Sequence, residues 1–156
     1  MNITYADNGW TVFINEDMRT LTDAEIKQVG KLVVSNMVVV FKKQTLTMDE
    51  EANFCKVIGE CQFYPKEADR VTHIRAHDNI LRVTGQKNDQ GEEGLFGHKA
   101  ALDWHANQPS SLNRSPLIWL YGAEHTKGSR TSWINNIASY EGLSDAMKTK
   151  IADIKA

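Results

Sequence analysis

The 156-residue chain falls in the size range of one domain, and 41% hydrophobic residues suffice for an ordinary globular core. Eighteen basic against twenty acidic residues leave a net charge of -2 with no long basic run, which argues against nucleic acid as a partner. The first residues lack the basic-then-apolar build of a signal peptide and no apolar run approaches a membrane span. Cys55 and Cys61 form no CxxC, so the chain reads as a soluble cytoplasmic protein with reduced thiols.

In chain order, residues 10–14 mix β-formers and predict a short strand. Thr22 with Glu25 three residues on forms a capping-box signature, and Ile26, Val29, Leu32 and Val33 follow at helical spacing, which predicts a helix over 22–35 with one buried face. Met37-Val38-Val39-Val40-Phe41 predicts a strand buried on both sides. Thr47 and Glu50 repeat the capping box, with Ala52, Cys55 and Ile58 as the apolar stripe and Gly59 placed to end the helix. The opening third is therefore strand, helix, strand, helix.

Residues 62–78 are dense in charge and predict a loop with at most a short strand over 71–74. His73 and His77 read there as surface side chains and not as metal ligands, because their i,i+4 spacing needs a helix that the pattern does not support. Residues 80–84 predict a strand. Gly85, Gly91, Gly94 and Gly97 mark a long mobile loop without a phosphate-cradling motif. That loop leads to Leu102-Asp103-Trp104-His105-Ala106-Asn107-Gln108-Pro109. On an extended segment His105 and Asn107 point the same way while Ala106 faces away, which is how a strand offers two metal ligands. The pair also reads as the polar end of a strand, or as core with a satisfied histidine.

Residues 117–121 predict a core strand, Gly128-Ser129 a turn, and residues 130–134 the antiparallel partner. A helical segment over 137–143 is broken by Gly142, and Ser144 caps another in which Met147, Ile151 and Ile154 share a face. The last residue arrives in mid-helix with no stop signal, the pattern of a fold that continues. Trp104, Trp119, Trp133 and Tyr121 are expected as core aromatics. Arg82 and Arg114 could reach an acidic substrate or stand solvated.

Several of these features, in order, resemble the taurine dioxygenase-like (TauD/TfdA) family of iron(II) and 2-oxoglutarate dependent oxygenases. Val39-Val40-Phe41-Lys42-Lys43-Gln44 followed by Leu46-Thr47 is similar to the family's early "VVFR-Q-LT", and Ile58-Gly59 to the "FG" that closes the next helix. Trp104-His105-Ala106-Asn107 stands where the family has Trp-His-x-Asp. Ser115-Pro116 then matches its Pro-Pro, Glu124 its "ELP" glutamate, Gly128-Ser129-Arg130-Thr131 its "GGDT", and Ser139-Tyr140-Glu141-Gly142-Leu143-Ser144 its "AYEALS".

The resemblance implies an α+β fold, a double-stranded β-helix (jelly roll) with flanking helices, of which this chain carries the N-terminal part as a single domain. It implies Fe(II) held by a 2-His-1-carboxylate triad, with 2-oxoglutarate as cosubstrate and a small molecule as substrate. By position His105 is the first metal histidine, Asn107 occupies the carboxylate position, and Thr131 hydrogen-bonds a carboxylate of 2-oxoglutarate. Three readings are open at Asn107: its side-chain oxygen binds the metal, an anion such as chloride fills the gap as in related halogenases, or iron binding is lost and a non-catalytic binding or structural domain remains. The family's distal histidine and its 2-oxoglutarate-binding arginine have no counterpart here, and His125 falls beside the "ELP" match, on the way to a turn. A homo-oligomer or a second chain completing the fold is one expectation, and the 156 residues alone are expected to give no turnover.

Overall fold

The structure, a computed structural model, describes residues 1–64, 75–84, 87, 91, 103–107, 116–124, 127, 128 and 130–154. The fold is mixed α+β with small sheets. By backbone packing the chain divides into two compact units, residues 1–107 with 115–119, and residues 108–114 with 120–156.

The first unit is built on a three-stranded sheet in the order β1 (Ile3–Tyr5), β2 (Thr11–Ile14), β3 (Val38–Phe41). β1 pairs antiparallel with β2, Ile3 opposite Ile14 and Tyr5 opposite Val12. β2 pairs parallel with β3, Thr11 opposite Val38 and Ile14 opposite Phe41. Parallel neighbours need a crossover, and helix α1 (Asp23–Asn36) supplies it. Lying between two partners, β2 is the most deeply covered strand: Val12 and Ile14, two residues apart on one face, have no exposed surface. β3 has a partner on one side only among the described residues, and all four of its residues are half-buried, not buried on both sides as the apolar run predicted. β1 was not expected; three residues are too short a window for alternation to register.

Both capping boxes form. Thr22 Oγ1 accepts from the Glu25 N–H, and Glu25 Oε2 accepts from the Thr22 N–H at 2.9 Å. Thr47 and Glu50 repeat the arrangement at the start of α2 (Met48–Ile58), which Gly59 closes. The N–H bonds hold both carboxyls below their ordinary value of 4.5, so what they add to stability is present above that pH and lost as acid protonates them. α1 buries Ile26, Val29 and Gly30, and α2 buries Glu51, Ala52 and Phe54. The stripe of α2 is thus shifted from the expected one: Phe54 fills the core, while Cys55 and Ile58 are half-buried.

Gly30 lets the two helices approach. A Cβ built on it would lie 2.9 Å from Ile58 Cγ2. Alanine gains up to about 1 kcal/mol in helix propensity but overpacks at a cost of about 1–3 kcal/mol, so Gly30→Ala is expected to be destabilising by about 1 kcal/mol in thermal unfolding. Adding Ile58→Leu, which removes the offending branch methyl, should recover most of the loss.

β4 (Arg75–His77) and β5 (Ile80–Leu81) form a small antiparallel hairpin. The strand expected over 80–84 stops at Leu81, and Val83 is exposed. The short strand expected over 71–74 lies outside the described residues, as do Gly85, Gly94 and Gly97 of the expected loop.

In the second unit α3 (Asn136–Glu141) is capped by Asn135, whose side chain accepts from the Ala138 N–H at 2.9 Å, and ends at Gly142. Ser144 caps α4 (Asp145–Ile151). Lys148 ties the two, donating to the Glu141 carbonyl at 3.0 Å and lying over the Tyr140 ring. α4 closes at Ala152 and does not run on, so Ile154 is exposed beyond the helix and not part of its face. The strands expected over 117–121 and 130–134 are not formed. In the former, burial alternates with strand period, Leu117, Trp119 and Tyr121 half-buried between exposed Ile118 and Leu120; in the latter all five residues are exposed. Pairing would need a shared buried face, and Trp133 and Ile134, each about half exposed, do not provide one.

Candidate functional site

The segment 103–107 belongs to the first unit and is exposed at every residue. It is not a strand: the backbone bends at Trp104 and Asn107. The expected presentation of His105 and Asn107 from a strand is therefore corrected. No buried face holds the segment in register, and a local bond takes the place of a ladder: His105 Nδ1 lies 2.7 Å from the Asp103 carbonyl oxygen. Trp104, expected in the core, is 67% exposed, and Trp133 is likewise outside it. Trp119 does pack on the core, and Tyr121 is half-buried.

The contact to Asp103 decides the chemistry of the His105 ring. A carbonyl oxygen only accepts, so Nδ1 carries the proton and donates it, and in the neutral ring the lone pair sits on Nε2. That is the state in which a histidine binds a metal, with the second nitrogen held by a hydrogen bond. Asn107 adds a carboxamide oxygen, a neutral donor. Imidazole nitrogen and amide oxygen both suit ferrous iron, so the donors of this segment fit the metal in kind. They fall short in number: among the described residues no three His, Cys, Asp or Glu side chains gather as a metal site.

Thr131 lies in the second unit, exposed and in irregular backbone. Arg82 and Glu124 are exposed. Arg114, His125, Ser129 and His73 lie outside the described residues. His77 corrects the expectation of a surface histidine: its side chain is 23% exposed, Nε2 lies 3.3 Å from Asp49 Oδ1, and Nδ1 accepts from the Asn79 N–H. Both thiols are free, and burial pushes Cys55 up to about 12 and raises Cys61, which keeps them protonated and poor nucleophiles.

One chemistry-bearing residue escaped the sequence pattern. Glu51 is buried on α2, and its signal was there to read, since it stands four residues before Cys55 and seven before Ile58 on the apolar stripe.

A family model described as "Taurine catabolism dioxygenase TauD, TfdA family" matches residues 7–156. No curated protein and no solved structure is significantly similar to the chain. No helix among the described residues is long and apolar enough to cross a membrane.

Proposed function

Because the chain belongs to the TauD/TfdA family, we propose that it is the N-terminal part of a single TauD-like jelly-roll domain, and that the full-length protein is an Fe(II)- and 2-oxoglutarate-dependent oxygenase of a small molecule. The observation that carries this reading is the 2.7 Å contact from His105 Nδ1 to the Asp103 carbonyl, which leaves Nε2 as the free donor. His105 Nε2 would hold the iron, the Asn107 side-chain oxygen would stand at the carboxylate position, and the Thr131 hydroxyl would hydrogen-bond an acid group of 2-oxoglutarate. When bound, iron and the keto acid would supply, with dioxygen as the four-electron oxidant, oxidative decarboxylation coupled to oxidation of a substrate C–H bond. The chain's own part is to hold the ring in one tautomer and to orient the cosubstrate's acid. Exposed Leu120, Trp133, Ile134 and Ile137 are the apolar surface that completion of the fold, by further chain or by a partner copy, would cover.

A second reading has its own support. Asn107 puts a neutral amide where the family has a carboxylate, the substitution expected of a binding domain that keeps the fold without iron. The test is titration of the full-length protein with Fe(II) and 2-oxoglutarate under argon. The oxygenase reading expects the visible charge-transfer band of a chelated keto acid on iron(II); no band in either the native protein or Asn107→Asp would leave the non-catalytic reading. A shift of the band on adding chloride or bromide would mark a halide at the open position.

A further inference from the structure

Two hydrogen bonds share one peptide in the turn between β4 and β5. The Asp78–Asn79 unit donates through the Asn79 N–H to His77 Nδ1 at 3.2 Å, and its Asp78 carbonyl accepts from the Tyr64 N–H at 2.7 Å. The Asn79 side chain adds a bond of its own, donating to the Gln62 carbonyl at 2.9 Å. The turn is thereby tied both to the His77 ring and to the segment that follows α2. A peptide is planar, so its N–H and C=O cannot reorient separately.

These contacts fix the protonation of the neutral ring. Nδ1 accepts and so holds the lone pair, which places the ring proton on Nε2, 3.3 Å from Asp49 Oδ1 of α2. A second proton can go only to Nδ1, where it meets the Asn79 N–H donor to donor. At the other nitrogen its effect is the opposite, because the contact with Asp49 becomes an ion pair. The described charged groups about the ring are acids: Asp49, its partner; Glu51, buried on the same helix and within electrostatic reach; and Asp78, next to it in the chain. They hold an imidazolium against α2, so the peptide and not the ring gives way.

We propose that the Asp78–Asn79 peptide is a proton-sensitive switch: neutral His77 holds it in place, and protonation at Nδ1 turns it, releasing the Tyr64 N–H and loosening the hairpin's hold on residues 62–64. One charge on a half-buried ring of β4 thus reaches the segment after α2 through a single rigid unit. Histidine ordinarily changes charge between about pH 5 and 8, which sets the range to search.

The test is NMR of the full chain across that range. Ring ¹⁵N shifts of His77 are expected to show the proton on Nε2 at the alkaline end, and the Asn79 and Tyr64 amide resonances to move with the same midpoint as the ring. Hydrogen exchange at the Tyr64 amide is compared with that of His77→Asn, which keeps an acceptor near the place of Nδ1 and takes up no proton. Taking the ratio of the two at each pH cancels the intrinsic, base-driven change. The switch expects a ratio near one at about pH 8 and a several-fold faster exchange in the native protein at about pH 5. A ratio flat with pH, a neutral ring with its proton on Nδ1, a ring that stays neutral down to about pH 5, or amides that ignore the ring's midpoint overturns it. The ring and amide titrations need no variant, so they decide between these outcomes even if His77→Asn does not fold.

Discussion

Phe54→Ala is expected to lower the stability of the protein by about 3–5 kcal/mol, the range for truncating a buried aromatic. Domains of this kind are stable by only about 5–15 kcal/mol, so the variant should sit near the edge of unfolding at ordinary temperature. The reason is position. Phe54 is 5% exposed, meets Phe41 of β3 edge-to-face with ring centroids 5.8 Å apart, and lies against Trp119. Helix, sheet and the later segment therefore lose their common contact in one substitution. Urea unfolding followed by circular dichroism should show a lower midpoint with an unchanged slope. A loss under about 1 kcal/mol would mean that the ring is not the centre of this core.

The second large effect is expected at the candidate metal site. Asn107→Asp should tighten Fe(II) binding by at least about tenfold, because a carboxylate replaces a neutral amide beside a dication. His105→Ala should abolish binding in both backgrounds, since it removes the one imidazole the segment offers. Anaerobic calorimetry with Fe(II), alone and with 2-oxoglutarate, reads both. Equal affinity for the native protein and Asn107→Asp would show that position 107 does not reach the metal, while binding that survives His105→Ala would remove His105 from the site.

The two families of effect differ in how visible they were beforehand. Thr22 with Glu25, Thr47 with Glu50, and Ser144 each satisfy N–H groups within three residues of themselves, so the bonds that start these helices are written in neighbouring positions and form as read. The order strand, helix, strand, helix followed from equally local signals, and it supplies the helical crossover that the observed parallel pairing of β2 and β3 needs. Where burial decided, the reading slipped. Trp104 and Trp133 are as apolar as Trp119, yet only Trp119 has Phe41 and Phe54 to pack against. The segments 117–121 and 130–134 carry strand-like residues without a shared buried face to pair them. The stripe of α2 was shifted because Glu51 lies inside with Ala52 and Phe54, against its polarity.

At the candidate site the division is the same. The residue types and their order, Trp104-His105-Ala106-Asn107 with Thr131 downstream, were legible in the sequence, and so was the family, whose model matches residues 7–156. The state of the His105 ring was not, because it depends on where the Asp103 carbonyl points, and that is a matter of backbone conformation. The amino-acid sequence by itself determined the helix starts, the alternation of the first elements and the family, all of which rest on bonds or patterns spanning a few positions. Only the tertiary structure decided which aromatics are buried and which acid is taken into the core, because each depends on partners brought close by folding and not by adjacency in the chain; the free nitrogen of His105 is set by a neighbour two residues away, through a backbone conformation that the residue types do not spell out.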